Sequence, residues 1–526
     1  MRFDAGARGR HRAPGTRRSL ADLFPVNLAF GPPRRLWGTT AAVLCLSFLF
    51  GGGTTQGLRS DALIGLASLV LIALAAQEAE IPHEARWPIR LTACVVVLMV
   101  IQLIPLPEAI WTLLPGRQPI VAAYQTADIP LVWQPLSLDP GATWRALLSL
   151  LPPAAVFLAV VQLNSRSRRS LSLLFVAFAF LSVLVGLAQL MLGPGNPLYL
   201  FPFTNEGSSV GFFANRNHYA AFLYAVVPLA GAWVVGLLPG SERHLLWAIA
   251  FLLVDAALLL GIGMSQSRAG LVLGCLAGLA GFLLMRPGTE STRRLAFGAI
   301  AAVLLIAVGL VVTFGLAGIL RRLDTGAVAD SRIVFAATTA TASATFQPLG
   351  SGFGTFQAVY QGFERPEDLI PFFANHAHND WLEIWLEGGW LAAGLALAFL
   401  VWFGHAAVRL WRGGDEGWSE IDRALARSAA VSVALLMLHS TVDYPLRTTA
   451  ILCTFAFACG LMIEARPRRG RAERESVPPA TRSARLDRAG SPPDHRTRPS
   501  RSPAPRPQPA PRARAAATRH DSSRES

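Results

Sequence analysis

The residues best suited to chemistry lie at 375–380, where the chain reads NHAHND. Two histidines, two amides and a carboxylate stand there, where a long polar loop runs into an apolar stretch. Ionisable groups are costly to keep beside a hydrocarbon phase, so their presence favours a functional role. Imidazole titrates near neutral pH and can therefore take a proton from a hydroxyl group. The same spacing also permits a metal site built from His376, His378 and Asp380.

The elements that must position this segment are membrane-spanning helices. Of the 526 residues, 52% are hydrophobic and 15% are charged, and the mean hydropathy is +0.41, which excludes an ordinary soluble protein. Apolar runs of about 17–25 residues are long enough to cross a bilayer. We therefore predict an all-α polytopic membrane protein with about twelve transmembrane helices. The predicted spans are 36–52, 60–76, 89–106, 142–163, 171–192, 217–239, 244–262, 269–285, 295–318, 381–408, 428–443 and 447–464.

The distribution of arginine orients these predicted spans. All 47 basic residues are arginine. If both termini are cytoplasmic, the cytoplasmic segments without the C-terminal tail hold 20 arginines, and the opposite side holds 9. Because positively charged loops stay on the cytoplasmic side, we predict that both termini are cytoplasmic.

The two ends of the chain differ from the rest. Residues 1–35 are polar and arginine-rich, and residues 466–526 combine arginine, proline, serine and alanine with almost no aromatic residues. Such segments cannot bury a core, so we predict disordered cytoplasmic extensions around a transmembrane domain at 36–465. The basic tail favours contact with anionic lipid headgroups over specific nucleic-acid binding. The five cysteines fall inside predicted spans, which indicates packing rather than a disulfide or metal framework.

With this orientation, nearly every polar motif falls on the external side. The long loop at 319–380 contains Arg332 and a glycine-rich segment before it reaches the histidines, and we predict that it is partly helical and lies over a membrane-level cavity. The other external motifs are NRNH at 215–218, SQSR at 265–268 and HSTVDYP at 439–445.

Several of these motifs also have structural interpretations. Asn215 and Asn217 suit the capping of a helix start as well as contact with a sugar. The glycines at 350–354 suit a tight turn as well as phosphate binding. His439 and Asp443 suit a buried polar pair that ties two helix ends together.

Taken together, the motifs resemble the O-antigen ligase/polymerase superfamily of bacterial envelope glycosyltransferases. The resemblance covers about residues 200–445 and implies a GT-C-like helical bundle. His378, Asn379 and Gly389 fit the ligase signature, in which Ala392 stands where glycine is usual. The residues that carry the resemblance are Asn215 and Asn217, SRAG at 267–270, Arg332, PLGSGFG at 348–354, HAHNDWLE at 376–383 and HSTVDYP at 439–445.

The resemblance implies transfer of a glycan from an undecaprenyl-diphosphate carrier to an acceptor hydroxyl on the periplasmic face, without cofactor or metal. His378 would be the general base, and the attack would invert the anomeric carbon. Negative charge develops on the departing diphosphate, so we expect the guanidinium groups of Arg268 and Arg332 to clamp it. The supporting or substrate-binding residues would be His376, Asn379, Asp380, Asn215, Arg216 and Asn217.

Other functions remain open on the sequence. The acceptor is lipid A–core, a growing polysaccharide or a protein hydroxyl, and the enzyme is a ligase or a polymerase of the same superfamily. A solute transporter has a similar hydropathy profile, and Asp255 is the deep carboxylate it would use. A scaffold of envelope assembly is the remaining class. Loss of transfer in a stably inserted His378→Ala or Arg268→Ala protein would exclude the scaffold.

Overall fold

The computed structural model describes residues 32–54, 59–77, 81–202, 204–237, 242–284, 305, 309, 327–369, 373–412 and 418–465. The predictions for the extensions at 1–35 and 466–526 and for the span at 295–318 fall almost entirely outside these residues.

Helices dominate the described residues and are numbered here in chain order. They are α1 (Pro32–Phe50), α2 (Arg59–Ala76), α3 (Arg86–Gln102), α4 (Glu108–Trp111), α5 (Gln118–Thr126), α6 (Pro140–Ser149), α7 (Leu151–Gln162), α8 (Ser165–Leu192), α9 (Arg216–Leu237), α10 (Glu242–Met264), α11 (Arg268–Leu284), α12 (Ala327–Phe346), α13 (Phe356–Gln361), α14 (Asp380–Arg412), α15 (Glu420–His439) and α16 (Thr449–Leu461). The described strands are a short antiparallel pair, β1 (Pro105–Leu106) and β2 (Gln134–Pro135). Single 3-10 turns lie at His83–Ala85, Pro366–Asp368 and Pro445–Arg447.

The long helices have the length and composition of membrane spans. Within the described ranges, six helical runs are long and apolar enough to cross a bilayer: Arg59–Ala76, Pro140–Gln162, Ser165–Leu192, Arg216–Leu237, Leu245–Met264 and Asp380–Arg412. Shorter apolar helices lie at Arg35–Phe50, Arg268–Gly281 and Thr449–Leu461. The prediction of an all-α membrane protein is therefore confirmed, while the count of twelve spans stays a prediction.

Helix α9 is central to the bundle. In the most apolar 18-residue stretch of α9, 89% of the residues are buried. The helix packs against α8, α10, α11 and α15. Small residues along α9 let neighbouring backbones approach closely, as is usual in membrane helix packing. The Ser432 hydroxyl donates to the Ala225 carbonyl at 2.6 Å, and a Cβ added at Gly270 would stand 2.4 Å from the Cβ of Ala220. The start of α11 is thereby fixed against the start of α9.

Helix α14 is broken at Gly389, because the glycine-rich segment 348–354 packs into it. Gly389 has a φ of +57°, in the left-handed region that favours glycine. The Trp390 N–H donates to the Pro348 carbonyl at 2.9 Å, and two amides of the segment donate to carbonyls in the preceding turn of α14. The tight-turn interpretation of this segment is confirmed, and those two amides are already used within the fold.

The predicted span at 428–443 has different limits in the structure. Its helix, α15, begins at Glu420 and ends at His439. Proline has no amide N–H and disfavours helix in the residue before it, so Pro445 prevents the helix from continuing. The chain therefore forms a turn at 440–448, called the 440–448 turn below, before α16 begins. This turn places Asp443 beyond the helix rather than within it.

Candidate active site

Four helix ends meet at one end of the bundle and carry most of the polar motifs. They are the starts of α9, α14 and α16 and the end of α15. The 440–448 turn joins them, because the Asp380 N–H donates to the Ser440 carbonyl at 2.9 Å. In addition, the Thr448 hydroxyl bonds to Nδ1 of His218 at 2.8 Å. Motifs from distant parts of the chain therefore lie side by side.

Asp443 is the centre of this cluster. Its side chain is fully buried and accepts hydrogen bonds from His378 Nδ1 at 3.2 Å, Arg332 Nη2 at 3.1 Å, Asn217 Nδ2 at 2.6 Å and the Tyr444 backbone N–H at 2.9 Å. Burial alone would raise the pKa of Asp443. The hydrogen bond with His378 and the charge of Arg332 outweigh burial and hold this pKa well below its ordinary value. The carboxylate is therefore ionised.

His378 has the geometry of a histidine oriented by a carboxylate. An ionised carboxylate only accepts, so the hydrogen bond to Asp443 places the proton on Nδ1 and leaves Nε2 as the basic nitrogen. The ring stacks on Phe335 at 5.7 Å between centroids and meets Tyr444 edge-on at 4.9 Å. The side chain is still 19% exposed. The ring is thus held on two sides and remains accessible to a substrate.

Arg332 and Arg268 lie at the same end of the bundle as His378. Arg332 contacts the 440–448 turn, since its Nη1 donates to the Val442 carbonyl at 2.9 Å and its Nη2 reaches Asp443. A guanidinium has five N–H donors, so these two bonds use part of the set, and 33% of the Arg332 side chain is exposed. Arg268 is half-buried at the start of α11, which packs on the start of α9.

Asn217 belongs to the cluster, whereas Asn215 and Arg216 lie at its edge. Asn217 donates its side-chain amide to Asp443. The Asn215 side chain accepts the backbone N–H of Asn217 at 2.8 Å, so Asn215 caps the start of α9. Arg216 is half-buried, and its backbone N–H donates to the side chain of Asn205 at 3.1 Å. The capping interpretation therefore fits Asn215, whereas the side chain of Asn217 is part of the cluster around Asp443.

A second layer of charged residues lies behind His378. His376 Nδ1 bonds to Glu383 Oε1 at 2.8 Å, and the Ala377 N–H donates to Glu383 Oε2 at 2.9 Å. Arg447 is largely buried and contacts three carboxylates of α14, at 3.4 Å from Asp380, 3.5 Å from Glu383 and 3.0 Å from Glu387. Burial alone would lower the pKa of Arg447, but these carboxylates raise it above its ordinary value. Arg447 therefore carries its charge inside the protein.

Three residues predicted to support His378, namely His376, Asn379 and Asp380, bond to other groups instead. His376 bonds to Glu383, as described above. The Asn379 side chain donates to a carbonyl of the 440–448 turn at 3.0 Å and caps α14 by accepting an amide of its first turn. Asp380 accepts a hydroxyl of the same turn at 2.7 Å. Asp443, which approaches from the end of another helix, is the residue that holds the ring of His378.

The histidine segment does not form a metal-ligand set in this fold. Among the residues that the structure describes, no group of three or more His, Cys, Asp or Glu side chains is placed to hold a metal ion. His376 and His378 pair with different carboxylates, and Asp380 bonds to the 440–448 turn. The arrangement suits proton transfer at His378.

No site role was predicted from the sequence for four residues of the site: Asp443, Tyr444, Glu383 and Arg447. The first three lie within motifs that carry the resemblance. Asp443 was interpreted as the partner of His439, but Nδ1 of His439 bonds instead to the Tyr224 hydroxyl at 2.8 Å. The carboxylates of α14 are three and four residues apart, and this spacing places them on one face of the helix. No sequence signal indicates that Arg447 is their common partner.

A comparison with known families supports the resemblance seen in the sequence. Residues 253–397 match the family model described as O-antigen ligase. No curated protein matches the chain. The matched segment contains Arg268, Arg332 and His378, and the fold adds Asn217 and Asp443 from outside it.

An apolar cavity of about 330 Å³ lies beside the second layer of charged residues. Its lining includes Trp381 and Leu446, which are the sequence neighbours of Asp380 and Arg447. Along α14 the lining extends from Trp381 to Trp402. The side chains that line it are almost all apolar, so its surface suits a hydrocarbon chain.

Proposed function

We propose that the protein is an inverting glycosyltransferase of the O-antigen ligase type. It moves a glycan from an undecaprenyl-diphosphate carrier to an acceptor hydroxyl. The observation that carries the proposal is the pairing of His378 with the buried Asp443 at 3.2 Å, with Arg332 on the same carboxylate, in a chain that matches the O-antigen ligase family model.

In the proposed reaction His378 is the general base. Nε2 takes the proton of the acceptor hydroxyl, and the acceptor oxygen forms a bond to the anomeric carbon from the face opposite the diphosphate. The bond between that carbon and the diphosphate oxygen breaks, and the oxygen keeps the electron pair. Asp443 stabilises the imidazolium that forms, because its negative charge is buried within hydrogen-bond distance. The imidazolium then returns its proton to the diphosphate or to water.

The leaving group requires positive charge, and the arginines supply it. Arg332 would bind the diphosphate through the part of its guanidinium that Asp443 and Val442 do not occupy. Arg268 would bind from the start of α11. A guanidinium grips phosphate oxygens with two parallel hydrogen bonds, so the step requires no metal ion or nucleotide cofactor. His376, Asn379, Asp380, Asn215, Arg216 and Asn217 would support the two substrates around this centre.

The lipid carrier would enter from the membrane. We place part of the carrier's hydrocarbon chain in the apolar cavity beside α14, since a lipid chain gains free energy by leaving water for an apolar surface. The arginine asymmetry supports a bacterial inner-membrane location with both termini cytoplasmic. The cluster of helix ends then lies at the periplasmic face.

Transfer by purified protein tests the proposal. Wild-type protein in liposomes, supplied with lipid-linked glycan and candidate acceptors, should release the carrier diphosphate and form the glycosylated acceptor. His378→Ala should reduce this rate by about 10²–10⁴-fold while the protein stays folded. Full activity of His378→Ala would exclude His378 as the base.

The ligase and polymerase forms of the proposal differ in what accumulates without the enzyme. Loss of a ligase leaves full-length polymer on the carrier, and loss of a polymerase leaves single repeat units. Lipid-linked intermediates from a deletion strain therefore separate the two. The same strain identifies the acceptor as lipid A–core, polysaccharide or protein, and unchanged glycans would favour a transporter.

A further inference from the structure

We propose that Arg447 is a positioning residue for this reaction, which acts by fixing the backbone that carries His378. The inference rests on the proposed role of His378 as base. Arg447 does not need to touch substrate for this role, because it acts through Glu383.

The backbone of His378 needs an external restraint. His378 has a φ of +51°, which is the left-handed region that residues with a side chain rarely occupy. Such a conformation costs free energy and persists only where the surrounding structure holds it. The hydrogen bond to Asp443 holds the ring, so another contact must hold the peptide.

Glu383 provides that restraint. Its carboxylate accepts both the Nδ1 proton of His376 and the backbone N–H of Ala377, which are the two residues before His378. One carboxylate therefore fixes the approach of the chain to His378. Glu383 is fully buried, so its own position depends on a buried partner.

Arg447 is that partner. It contacts Glu383 at 3.5 Å and also binds Glu387 at 3.0 Å and Asp380 at 3.4 Å, on successive turns of α14. A planar guanidinium can bond in several directions at once, which a lysine ammonium group on a flexible stem does less rigidly. Arg447 thereby locks the first turns of α14 onto the 440–448 turn.

The same turn also carries Asp443. Asp443 orients the ring of His378, and Arg447, four residues later, restrains its backbone through Glu383. One segment thus sets the distance between the base and its carboxylate. A small displacement of reacting groups can lower a rate by about 10²-fold, so this restraint should matter for turnover.

Arg447→Met tests the inference, because a positioning residue should affect turnover more than it affects binding of the donor. We expect kcat per folded molecule to fall by about 100-fold, while KM for the lipid-linked donor changes by less than about threefold. Arg447→Lys should recover part of the loss. Arg169→Met is the matched control, since Arg169 is largely buried like Arg447 and forms a bridge to Asp422 at 2.6 Å at the other end of α15.

Two carboxylate variants test the route through Glu383. Glu383→Gln should reduce kcat nearly as much as Arg447→Met, because it weakens the restraint on residues 376–377. Glu387→Gln removes a partner of Arg447 that does not touch those residues, so it should reduce kcat clearly less than Glu383→Gln does. Equal losses in the two variants would overturn the route.

A readout independent of transfer separates this inference from the proposed function. The rate at which diethyl pyrocarbonate modifies His378, followed by mass spectrometry, should rise several-fold in Arg447→Met and stay unchanged in Arg169→Met. A changed rate in a protein without transferase activity would support the positioning and overturn the proposed function. An unchanged rate, or a variant that yields less folded protein with normal kcat, would overturn the positioning.

Discussion

Replacing Asp443 with asparagine tests the orientation of His378 most directly. The two side chains have the same shape, but asparagine is uncharged and has an amide group in place of one carboxylate oxygen. In the wild-type protein both oxygens only accept: Oδ1 from His378, and Oδ2 from Arg332 and Asn217. An asparagine cannot satisfy all of these donors.

The expected magnitude follows from the two possible orientations of the amide. If its NH₂ group replaces Oδ2, the bonds to Arg332 and Asn217 are lost, and hydrogen bonds to charged groups contribute about 1.5–3 kcal/mol each. If it replaces Oδ1, it donates to Nδ1 of His378 and places the proton on Nε2, the nitrogen that must be basic. In both orientations the imidazolium loses its buried counter-charge. We expect kcat to fall by about 10²–10⁴-fold.

The assay compares initial rates of glycan transfer at saturating donor, with melting curves in detergent as the measure of folding. Asp422→Asn is the matched control, because its carboxylate pairs with Arg169 at the other end of α15. The double variant His378→Ala/Asp443→Asn should lose far less than the product of the two single losses, since Asp443 acts chiefly through His378.

Two results would refute this reasoning. The first is a folded Asp443→Asn protein whose kcat stays within about threefold of wild type, which would show that the carboxylate does not assist the base. The second is a double variant much slower than His378→Ala, which would give Asp443 a separate role.

Three further predictions concern stability and charge. The melting-temperature difference between wild type and Asp443→Asn should shrink below about pH 4. The lowered pKa of Asp443 in the folded protein gives stability that is lost as pH falls through that pKa, and melting curves across pH check this. Gly389→Ala should melt several degrees lower, since its Cβ would stand 2.2 Å from the Pro348 carbonyl, whereas Gly394→Ala, with nothing within 4 Å, should not. Arg332→Gln should lower kcat by about 10²-fold in initial-rate assays, with partial recovery in Arg332→Lys.

The helical membrane fold was predictable because its signal is local. A run of apolar residues long enough to cross a bilayer can be recognised from its own sequence, without knowledge of its neighbours in the fold. The predicted spans at 171–192 and 217–239 accordingly correspond to Ser165–Leu192 and Arg216–Leu237. The end of α15 was placed too late, since hydropathy does not register where the hydrogen-bond ladder stops. Hydropathy therefore located helices better than it located their ends.

By itself, the sequence determined the class of protein, the resemblance to the O-antigen ligase/polymerase superfamily and the choice of His378, Arg332 and Arg268 as candidates, because composition and motif spacing are properties of short segments. Only the tertiary structure decided which groups act together. Asp443 lies 65 residues from His378, 111 from Arg332 and 226 from Asn217 along the chain. Buried polar groups must find partners, and which partners they find depends on how helix ends pack. The packing of α9, α14 and α15 made Asp443, which the sequence left as a partner for His439, the centre of the site.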